Sequence, residues 1–589
     1  MGYKAGSWNL TELVKDPKKP EFENQIKRIQ KKATEFEKIK SKLKPAISSS
    51  DFSKIIKNLE TISEEISVVG GYASLSYSAN TQSDEATSLL TRMSKLGSDV
   101  SNQILFFDLW WKQGIDEKNA NRLIKDAGDL AQYLRHKRLV AKYSLSEAEE
   151  RIINTLDVTG ITALIKLYDK ITNAFEYSIT LKGKKRKMTR EQLSGLVRST
   201  NGKTREAAYK VLLSKYLQNK GVLGEIYQNI VLNWKDEGIE IRGYKSPISM
   251  RNIGNDVDDK TIDSLLSVCK KNSPVFQKFF VQKAKMLKMK KLRRYDLYAP
   301  ATSNIKEKNY SYNNSVKLVF ESLGKFSDKL EEHARKVFNE NHIDSEIRQG
   351  KRDGAFCSTL TPKITPFVLV NFTGKSRDVF TLAHELGHAV HSQAAQDRSI
   401  LVQDAPLPLA ETASTFSELL LYDNLSDKIS DNEKKIMLSE KIDDLYATIL
   451  RQSFFTIFEI DAHKQIGEGT TIDEISKTYL QNLKVQFGNS VSLTDDFAIE
   501  WSCIPHFYHT PFYCYAYSFG NLLALSLFQR YKKEGKDFVP SYIDILSAGG
   551  SKKPEKLLSE QGFDIASPKF WQEGFDYVKK QVDALASLN

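Results

Sequence analysis

The sequence predicts a mainly α-helical fold, an elongated helical body with several lobes and one small β-sheet, and three observations support this prediction. No proline occurs between Pro45 and Pro247, so helices in that long stretch need not be broken. Apolar residues recur every three or four positions in 22–43, with Lys and Glu between them, as in an amphipathic helix. The chain shows no Gly/Ser linker, low-complexity tract or clear internal repeat, which favours one continuous body over separate modules.

Three consecutive segments are expected within this body. Residues 1–115 form an N-terminal helical lobe, residues 116–200 continue it, and residues 201–589 form the largest domain. A length of 589 residues agrees with several domains and an ample core. The Thr-Asn-Gly-Lys sequence at 200–203 is the best turn signal near the second boundary.

The clearest β signal lies in the middle of the largest domain. Residues 355–360 and 366–372 are predicted to form two strands joined through 361–363, because both runs are apolar and the connection contains a proline. Such a sheet is either purely structural or a surface on which an extended peptide adds its backbone as a further strand. The sequence leaves these two roles about equally supported.

His384-Glu385-Leu386-Gly387-His388 is the most informative stretch of the chain. Residues four apart on a helix are separated by only about 40° in projection, so His384 and His388 can direct two imidazoles at one metal ion. Glu385 lies beside the first ligand, where a general base for a water on that metal is needed. Because residues 381–390 carry no charge outside the motif, a buried helix is expected. The alternative is a pair of core histidines with no ligand role.

A catalytic zinc site needs a third protein ligand, and two common patterns fail. One requires Gly three residues and His six residues after the second ligand, where this chain has His391 and Ala394. The other requires a downstream Glu followed four residues later by Asp. The best downstream candidate is Glu411, and Thr415 stands four residues later.

Glu411 nevertheless remains the preferred third ligand. It begins a second predicted helix, on which Glu411, Ser414 and Glu418 share one face. A carboxylate in this otherwise apolar, small-residue stretch is costly to bury unless it is paired or bound to metal. The alternative is an ordinary glutamate in a first helical turn, favoured there by the helix dipole.

Residues 501–517 form a second candidate region, with two histidines and four tyrosines. Hydrolysis of an amide at zinc builds a tetrahedral oxyanion, and hydroxyl or imidazole donors aimed at that oxygen lower the barrier. An aromatic core stripe is the alternative. The candidate donors of this region are His506, Tyr508, Tyr513 and Tyr515.

Taken together, these motifs resemble those of the oligoendopeptidase F family, within the thimet-oligopeptidase-like zinc peptidases. The segments that carry the resemblance are 384–391, 411–414 and 506–515, with weaker matches at 295–300, 354–357 and 549–554. The resemblance covers most of the chain beyond the N-terminal lobe, and the first two motifs in combination are highly specific.

The resemblance implies a site and an activity. One Zn2+ ion would be bound by His384, His388 and Glu411, with Glu385 as the general base. His506 and one or more of the three tyrosines named above would contact the substrate carbonyl. The active site would lie in a deep cleft of a zinc metallopeptidase domain at 201–589. It would hydrolyse internal bonds of short oligopeptides admitted to an internal channel.

Three alternatives remain open at this stage. A dipeptidyl carboxypeptidase would use the same chemistry but release dipeptides from C-termini. A non-catalytic peptide- or nucleic-acid-binding protein would have no need of Glu385 beside the metal. A structural zinc protein would need a fourth protein ligand, and the sequence offers none nearby.

Composition and charge suggest a globular cytoplasmic protein without a membrane or nucleic-acid partner. No apolar run approaches a membrane span, and no signal sequence follows the first residues. Two basic patches, 182–187 and 283–294, contribute to a net charge of +12 and are both interpreted as solvated faces. The four cysteines show no paired or metal-type spacing, as expected of free thiols in a reducing compartment. The oligomeric state is left open.

Overall fold

The computed structural model describes residues 2–181, 183–300 and 308–588, and these residues are predominantly α-helical, as predicted. The helices are, in chain order, α1 (Pro20–Glu37), α2 (Ser49–Ala79), α3 (Asp84–Leu109), α4 (Glu117–Lys125), α5 (Ala131–Ala141), α6 (Glu147–Thr159), α7 (Ile161–Asn173), α8 (Arg190–Gly195), α9 (Gly202–Gln218), α10 (Lys220–Lys235), α11 (Pro247–Gly254), α12 (Asp259–Lys271), α13 (Ser273–Met286), α14 (Tyr312–Phe326), α15 (Asp328–Asn339), α16 (Ser376–Ala394), α17 (Leu407–Ala410), α18 (Thr412–Ser426), α19 (Asp431–Leu445), α20 (Arg451–Gly467), α21 (Ile472–Phe487), α22 (Pro505–His509), α23 (Tyr515–Glu534), α24 (Val539–Ser547), α25 (Pro554–Glu560) and α26 (Pro568–Ser587). The strands are β1 (Tyr177–Leu181), β2 (Lys184–Met188), β3 (Leu292–Arg293), β4 (Ile343–Asp344), β5 (Phe356–Ser358), β6 (Phe367–Leu369) and β7 (Val491–Ser492). Among the described residues, no helix is long and apolar enough to cross a membrane.

The chain forms two compact units, and each unit is assembled from three separated segments. Unit 1 comprises Met1–Lys142, Glu307–Asp427 and Arg530–Phe563. Unit 2 comprises Tyr143–Lys306, Lys428–Gln529 and Asp564–Asn589. No local sequence signal reveals this discontinuous arrangement. The division of the chain into 1–115, 116–200 and 201–589 stays a prediction.

In unit 1 the predicted amphipathic helix is α1. It begins at Pro20 and ends at Glu37, where a 3-10 turn at Lys38–Lys42 replaces the last predicted residues. The apolar positions of the repeat are buried, as the periodicity requires: Phe22, Ile26, Ile29, Ala33 and Phe36. Burial of side chains of this size stabilises the fold by roughly 1.5–3 kcal/mol for each of the larger ones.

The two strands predicted before the His-Glu motif are also present in unit 1. β5 pairs antiparallel with β6, with Phe356 opposite Leu369 and Ser358 opposite Phe367, and β4 pairs parallel with the other side of β6. The sheet order is therefore β4-β6-β5. β6 is buried along its length and β4 is buried as well, whereas β5, at the other edge of the sheet, is half-exposed.

Unit 2 contains a β-hairpin that the helical pattern did not predict. β1 and β2 pair antiparallel over five residue pairs, from Tyr177 opposite Met188 to Leu181 opposite Lys184. Lys184, Lys185, Arg186 and Lys187 are exposed, which confirms a solvated face for the described part of the first basic patch. Lys182 lies outside the described residues.

The second basic patch is a solvated face only in part: Lys285, Lys288, Lys290 and Lys291 are exposed, but the sequence-based interpretation is wrong for Lys283 and Arg294. Lys283 is fully buried in α13 and donates hydrogen bonds to the Leu297 carbonyl and to the Asp443 carboxylate. Arg294 is buried as well and is paired with Glu500. A buried charge is tolerated when it is paired and hydrogen-bonded, and both partners here come from distant parts of the sequence.

Candidate active site

The motif helix α16 is defined at its start by an acidic cap. The Asp378 carboxylate accepts hydrogen bonds from the backbone N–H of the capping residue Lys375 (3.1 Å) and of Thr373 (2.6 Å), so it ties the preceding loop to the first turn of the helix. Leu382 and Leu386 are fully buried on the helix. The buried helix predicted for the motif is therefore present, and its position against β5 and β6 places the motif beside the small sheet.

Gly387 permits α16 and α18 to approach closely. A Cβ at this position would lie 2.6 Å from the Ala413 carbonyl oxygen, 2.6 Å from Ser414 Cα and 2.8 Å from Ser417 Oγ. Two of these atoms belong to the backbone, so a side-chain movement cannot relieve the clash. The neighbouring element is therefore α18, the helix that follows Glu411.

We expect Gly387→Ala to destabilise unit 1 by about 1–3 kcal/mol and to weaken metal binding, because the added methyl group separates α16 from the Glu411 segment. Thermal unfolding and a zinc titration measure the two effects. Gly70→Ala in α2 is the matched control, since a Cβ there meets nothing within 4 Å. That control should leave stability unchanged or raise it by up to about 1 kcal/mol. Equal behaviour of the two variants would contradict the close-approach argument.

His384, His388 and Glu411 bring three ligand atoms together. His384 Nε2 and His388 Nε2 are 3.2 Å apart, and Glu411 Oε2 is 3.4 Å from the first and 3.5 Å from the second. Ligand atoms about 2.0–2.1 Å from a tetrahedral zinc ion lie about 3.3–3.4 Å from one another. The three residues thus fit a zinc ion in both donor type and spacing, and the cluster is recognisable as a candidate metal site.

Glu411 lies between α17 and α18 and is held there by a neighbour. The Ser414 hydroxyl donates a hydrogen bond of 2.7 Å to Glu411 Oε2, the same oxygen that faces both imidazoles. Pro408 is the second residue of α17, where proline suits a helix start. The alternative of an ordinary first-turn glutamate does not account for this convergence on two histidines.

Glu418 has a role that the sequence suggested only through the shared helix face. Its Oε1 lies 2.6 Å from His384 Nδ1, so the carboxylate accepts the proton on Nδ1 and leaves Nε2 directed at the candidate metal site. Burial by itself would lower the pKa of His384, but the hydrogen bond to Glu418 and the nearby carboxylates raise it to about 9. His391 is buried, and burial together with the charge of His388 lowers its pKa to about 4.

Glu385 is buried next to the candidate ligands, with 7 % of its surface exposed. The pKa of Glu385 is raised to about 7, mainly because burial disfavours its charged form, although the charge of His384 acts to lower it. The Cys357 thiol of β5 is close enough for the charge of Glu385 to help raise its pKa, after the larger effect of burial. Glu385 is therefore adjacent to both the ligand set and the half-exposed edge strand.

The structure separates the three predicted tyrosines, and two of them are not placed as oxyanion donors. Tyr508 is fully buried, is stacked on Tyr168 with ring centroids 3.7 Å apart, and donates its hydroxyl proton to the Leu223 carbonyl. Tyr515 is fully buried as well, and its hydroxyl accepts a hydrogen bond of 2.7 Å from Asn255. Both side chains pack in the interior of unit 2. The prediction that Tyr508 and Tyr515 are oxyanion donors is therefore corrected.

Tyr513 and His506 remain half-exposed and form a cluster with Tyr517, which the candidate set did not include. The rings of His506 and Tyr513 are nearly parallel, with centroids 5.8 Å apart. The Tyr517 hydroxyl lies 3.5 Å from His506 Nε2, and burial, with the charges of His509 and Arg451, lowers the pKa of His506. A neutral imidazole and two phenols are suitable hydrogen-bond donors for an oxyanion. The ligand set belongs to unit 1 and this cluster to unit 2.

Comparison with known proteins shows that this chain is a peptidase. Residues 196–577 match the model of peptidase family M3, and residues 113–177 match that of oligopeptidase F. The chain belongs to peptidase family M3, and the predicted resemblance to the oligoendopeptidase F family is confirmed.

The relatives span almost the whole chain. An oligoendopeptidase F homolog of Borreliella burgdorferi is 28% identical, with 99% of this chain and 98% of that protein covered. The chromosomal oligoendopeptidase F of Lactococcus lactis subsp. cremoris is 26% identical, with coverage of 99% and 97%.

Solved structures show the same fold. A Chlamydophila abortus protein is similar with a TM-score of 0.87 at 22% identity, with both chains fully covered. The oligoendopeptidase-F of Enterococcus faecium has a TM-score of 0.70 at 20% identity, with 96% of this chain and 98% of that chain covered.

Proposed function

We propose that the protein is a zinc-dependent oligoendopeptidase that hydrolyses internal bonds of short oligopeptides. The observation that carries the proposal is the convergence of two imidazole nitrogens and one carboxylate oxygen within 3.2–3.5 Å of one another. Two His and one Glu are a common ligand set for catalytic zinc and leave one position open. The relatives named oligoendopeptidase F support the endopeptidase cut.

The general base of the reaction is Glu385. When bound, zinc supplies a Lewis acid that polarises the scissile carbonyl and makes a water more acidic. Glu385 accepts a proton from the attacking water and passes it to the leaving amine. Its buried position next to the ligand set supports this role, because an ionisable group without solvent around it transfers protons to the reacting atoms only.

His506 and Tyr513 are the donors for the oxyanion in this proposal. Tyr513 and His506 are half-exposed, so their hydroxyl and imidazole groups are accessible to a substrate. Tyr517 lies beside the imidazole and orients it. Tyr508 and Tyr515 are not part of the proposal, since their hydroxyl groups are already engaged inside the unit.

The substrate backbone pairs with β5 in this proposal. β5 is the half-exposed one of the two edge strands of a three-stranded sheet within the described residues, and it packs beside α16. Addition of an extended peptide to such an edge uses main-chain hydrogen bonds, which carry little side-chain information. Broad sequence tolerance among short peptides follows from this mode of binding.

The direct test is cleavage of an internally quenched, end-blocked peptide of about ten residues, a length that spans a peptidase cleft. Internal cleavage that stops with a zinc chelator and returns with added zinc is the expected result. Cleavage of free-ended peptides only, with release of C-terminal dipeptides, would instead indicate a dipeptidyl carboxypeptidase. No cleavage of either peptide by folded, zinc-loaded protein would overturn the proposal.

A further inference from the structure

The turn before α23 contains a bulky residue in an unfavourable backbone conformation. Phe512 has φ +58°, in the left-handed region that glycine adopts readily and a residue with a Cβ avoids. Holding a non-glycine residue there is unfavourable, so the surrounding structure must stabilise it. Phe512 directly precedes Tyr513, the half-exposed tyrosine of the unit 2 cluster.

Two charged side chains of unit 2 bind the same peptide group in this turn. Glu459 Oε1 accepts a hydrogen bond of 2.8 Å from the backbone N–H of Phe512. Arg251 Nε donates one of 3.1 Å to the carbonyl oxygen of Pro511. Because that carbonyl and that N–H belong to one planar peptide unit, its orientation is fixed from both ends.

Glu459 is a costly residue to place in a protein interior for structural reasons alone. Its side chain is 1% exposed, and its second oxygen, Oε2, is buried with no hydrogen-bond partner among the described residues. Burial raises the pKa of this carboxyl group to about 8, although its bond to Phe512 and the charge of Arg251 act to lower it. A buried carboxyl group with one hydrogen bond is poorly compensated, and that single bond goes to the strained turn.

Arg251 completes the arrangement from another helix. Its guanidinium group is 5.7 Å from the centre of the Trp234 ring, so the side chain is held against an aromatic face while Nε reaches the turn. α11 and α20, which carry Arg251 and Glu459, also contact each other within unit 2. Side chains from α11 and α20 thus bind the Pro511–Phe512 peptide group from both ends.

We propose that Glu459 and Arg251 are positioning residues that fix the Pro511–Phe512 peptide and thereby set the place of Tyr513 for the reaction. The inference rests on the proposed function of Tyr513 as an oxyanion donor. A rotation of this peptide changes the backbone direction at Tyr513, whose ring faces His506 at 5.8 Å and Tyr517 at 5.4 Å. A displacement of about 1 Å at a catalytic group can cost roughly 100-fold in rate.

The test compares three variants of the full-length, zinc-loaded enzyme. Glu459→Ala removes the acceptor, and we expect kcat on the quenched peptide to fall by roughly 10-fold or more with little change in KM, since an oxyanion donor acts in the transition state. Glu459→Gln keeps an oxygen acceptor and should restore kcat to within about threefold of wild type. Asp461→Asn is the matched control, an exposed acidic residue on the same helix.

A second measurement keeps the test independent of activity. In the full-length protein, the backbone amide hydrogens of residues 508–517 should exchange faster in Glu459→Ala than in wild type. Their exchange should be unchanged in Glu459→Gln. If Glu459→Ala does not fold, Arg251→Met removes the other hydrogen bond while retaining an apolar stem against Trp234, and the same loss of kcat and protection is expected.

The outcomes separate this inference from the proposed function. A wild-type enzyme that cleaves the peptide, with a normal kcat in Glu459→Ala, overturns the positioning role alone. A decrease in stability with kcat unchanged also overturns it, because the two residues would then serve only the fold. A wild-type enzyme without any peptidase activity removes the proposed function, whereas the exchange measurement still reports whether Glu459 holds the turn.

Discussion

Replacement of Glu385 by Gln is expected to abolish turnover while the zinc content stays at the wild-type level. Gln has nearly the same shape but cannot accept a proton at neutral pH, so the loss of a general base should lower kcat by about 10²–10⁴-fold. Glu385 is not among the three residues whose ligand atoms converge, and so metal binding should persist. The measurement is kcat on the quenched peptide together with zinc per chain.

The matched control for this variant is Glu321→Gln, an exposed glutamate of α14 in the same unit. It tests whether loss of a carboxylate charge anywhere in unit 1 affects the reaction, and it should retain full activity. If Glu385→Gln turns over within about threefold of wild type, Glu385 is not the general base, because Gln cannot take its place as the proton acceptor. Loss of zinc in that variant would instead assign Glu385 to metal binding.

The close placement of His384 and His388 on one helix could be predicted from the sequence because it depends on local geometry. A spacing of four residues brings His384 and His388 to one face of any α-helix, whatever surrounds it. The strands β5 and β6 were predictable for a similar reason, since an apolar run bounded by a proline-containing turn depends on neighbours in sequence. The position of Glu411 beside the two histidines was predictable through the cost of placing a carboxylate in an apolar stretch.

Features that depend on distant contacts could not be predicted in this way. Lys283 and Arg294 lie in a run of charges that resembles a solvated face, yet their partners Asp443 and Glu500 are 160 and 206 residues away. The regular alternation of tyrosines did not show which of them are buried. Tyr508 is buried against Tyr168, and Tyr515 is bonded to Asn255, which is 260 residues away in the chain.

Gly387 combines a feature that the local sequence predicts with one that depends on distant contacts. A glycine inside a helix is unfavourable by about 1 kcal/mol relative to alanine, which predicts that another element approaches closely. The identity of that element is a property of the packed structure, and it is α18. The same approach places Glu411 beside the two histidines, so Gly387 and Glu411 are parts of one arrangement.

Glu411→Ala should lose zinc, and this expected result differs from that of its neighbour Glu418→Ala. Glu411 supplies an oxygen 3.4 and 3.5 Å from the two imidazole nitrogens, so its removal leaves a two-histidine site. Glu418 instead contacts His384 Nδ1, on the far side of the ring from the ligand nitrogen, and loss of such a partner weakens metal binding by about 10–100-fold. We expect the zinc Kd to rise in the order wild type, Glu418→Ala, Glu411→Ala.

A competition titration with a chromogenic chelator measures this order without any dependence on peptide cleavage. Glu321→Ala is the exposed control in the same unit and should bind zinc as wild type does. A wild-type Kd in Glu411→Ala would show that Glu411 is not a ligand. Equal Kd values in Glu411→Ala and Glu418→Ala would contradict the geometry, because one carboxylate faces the metal site directly and the other acts only through the orientation of His384.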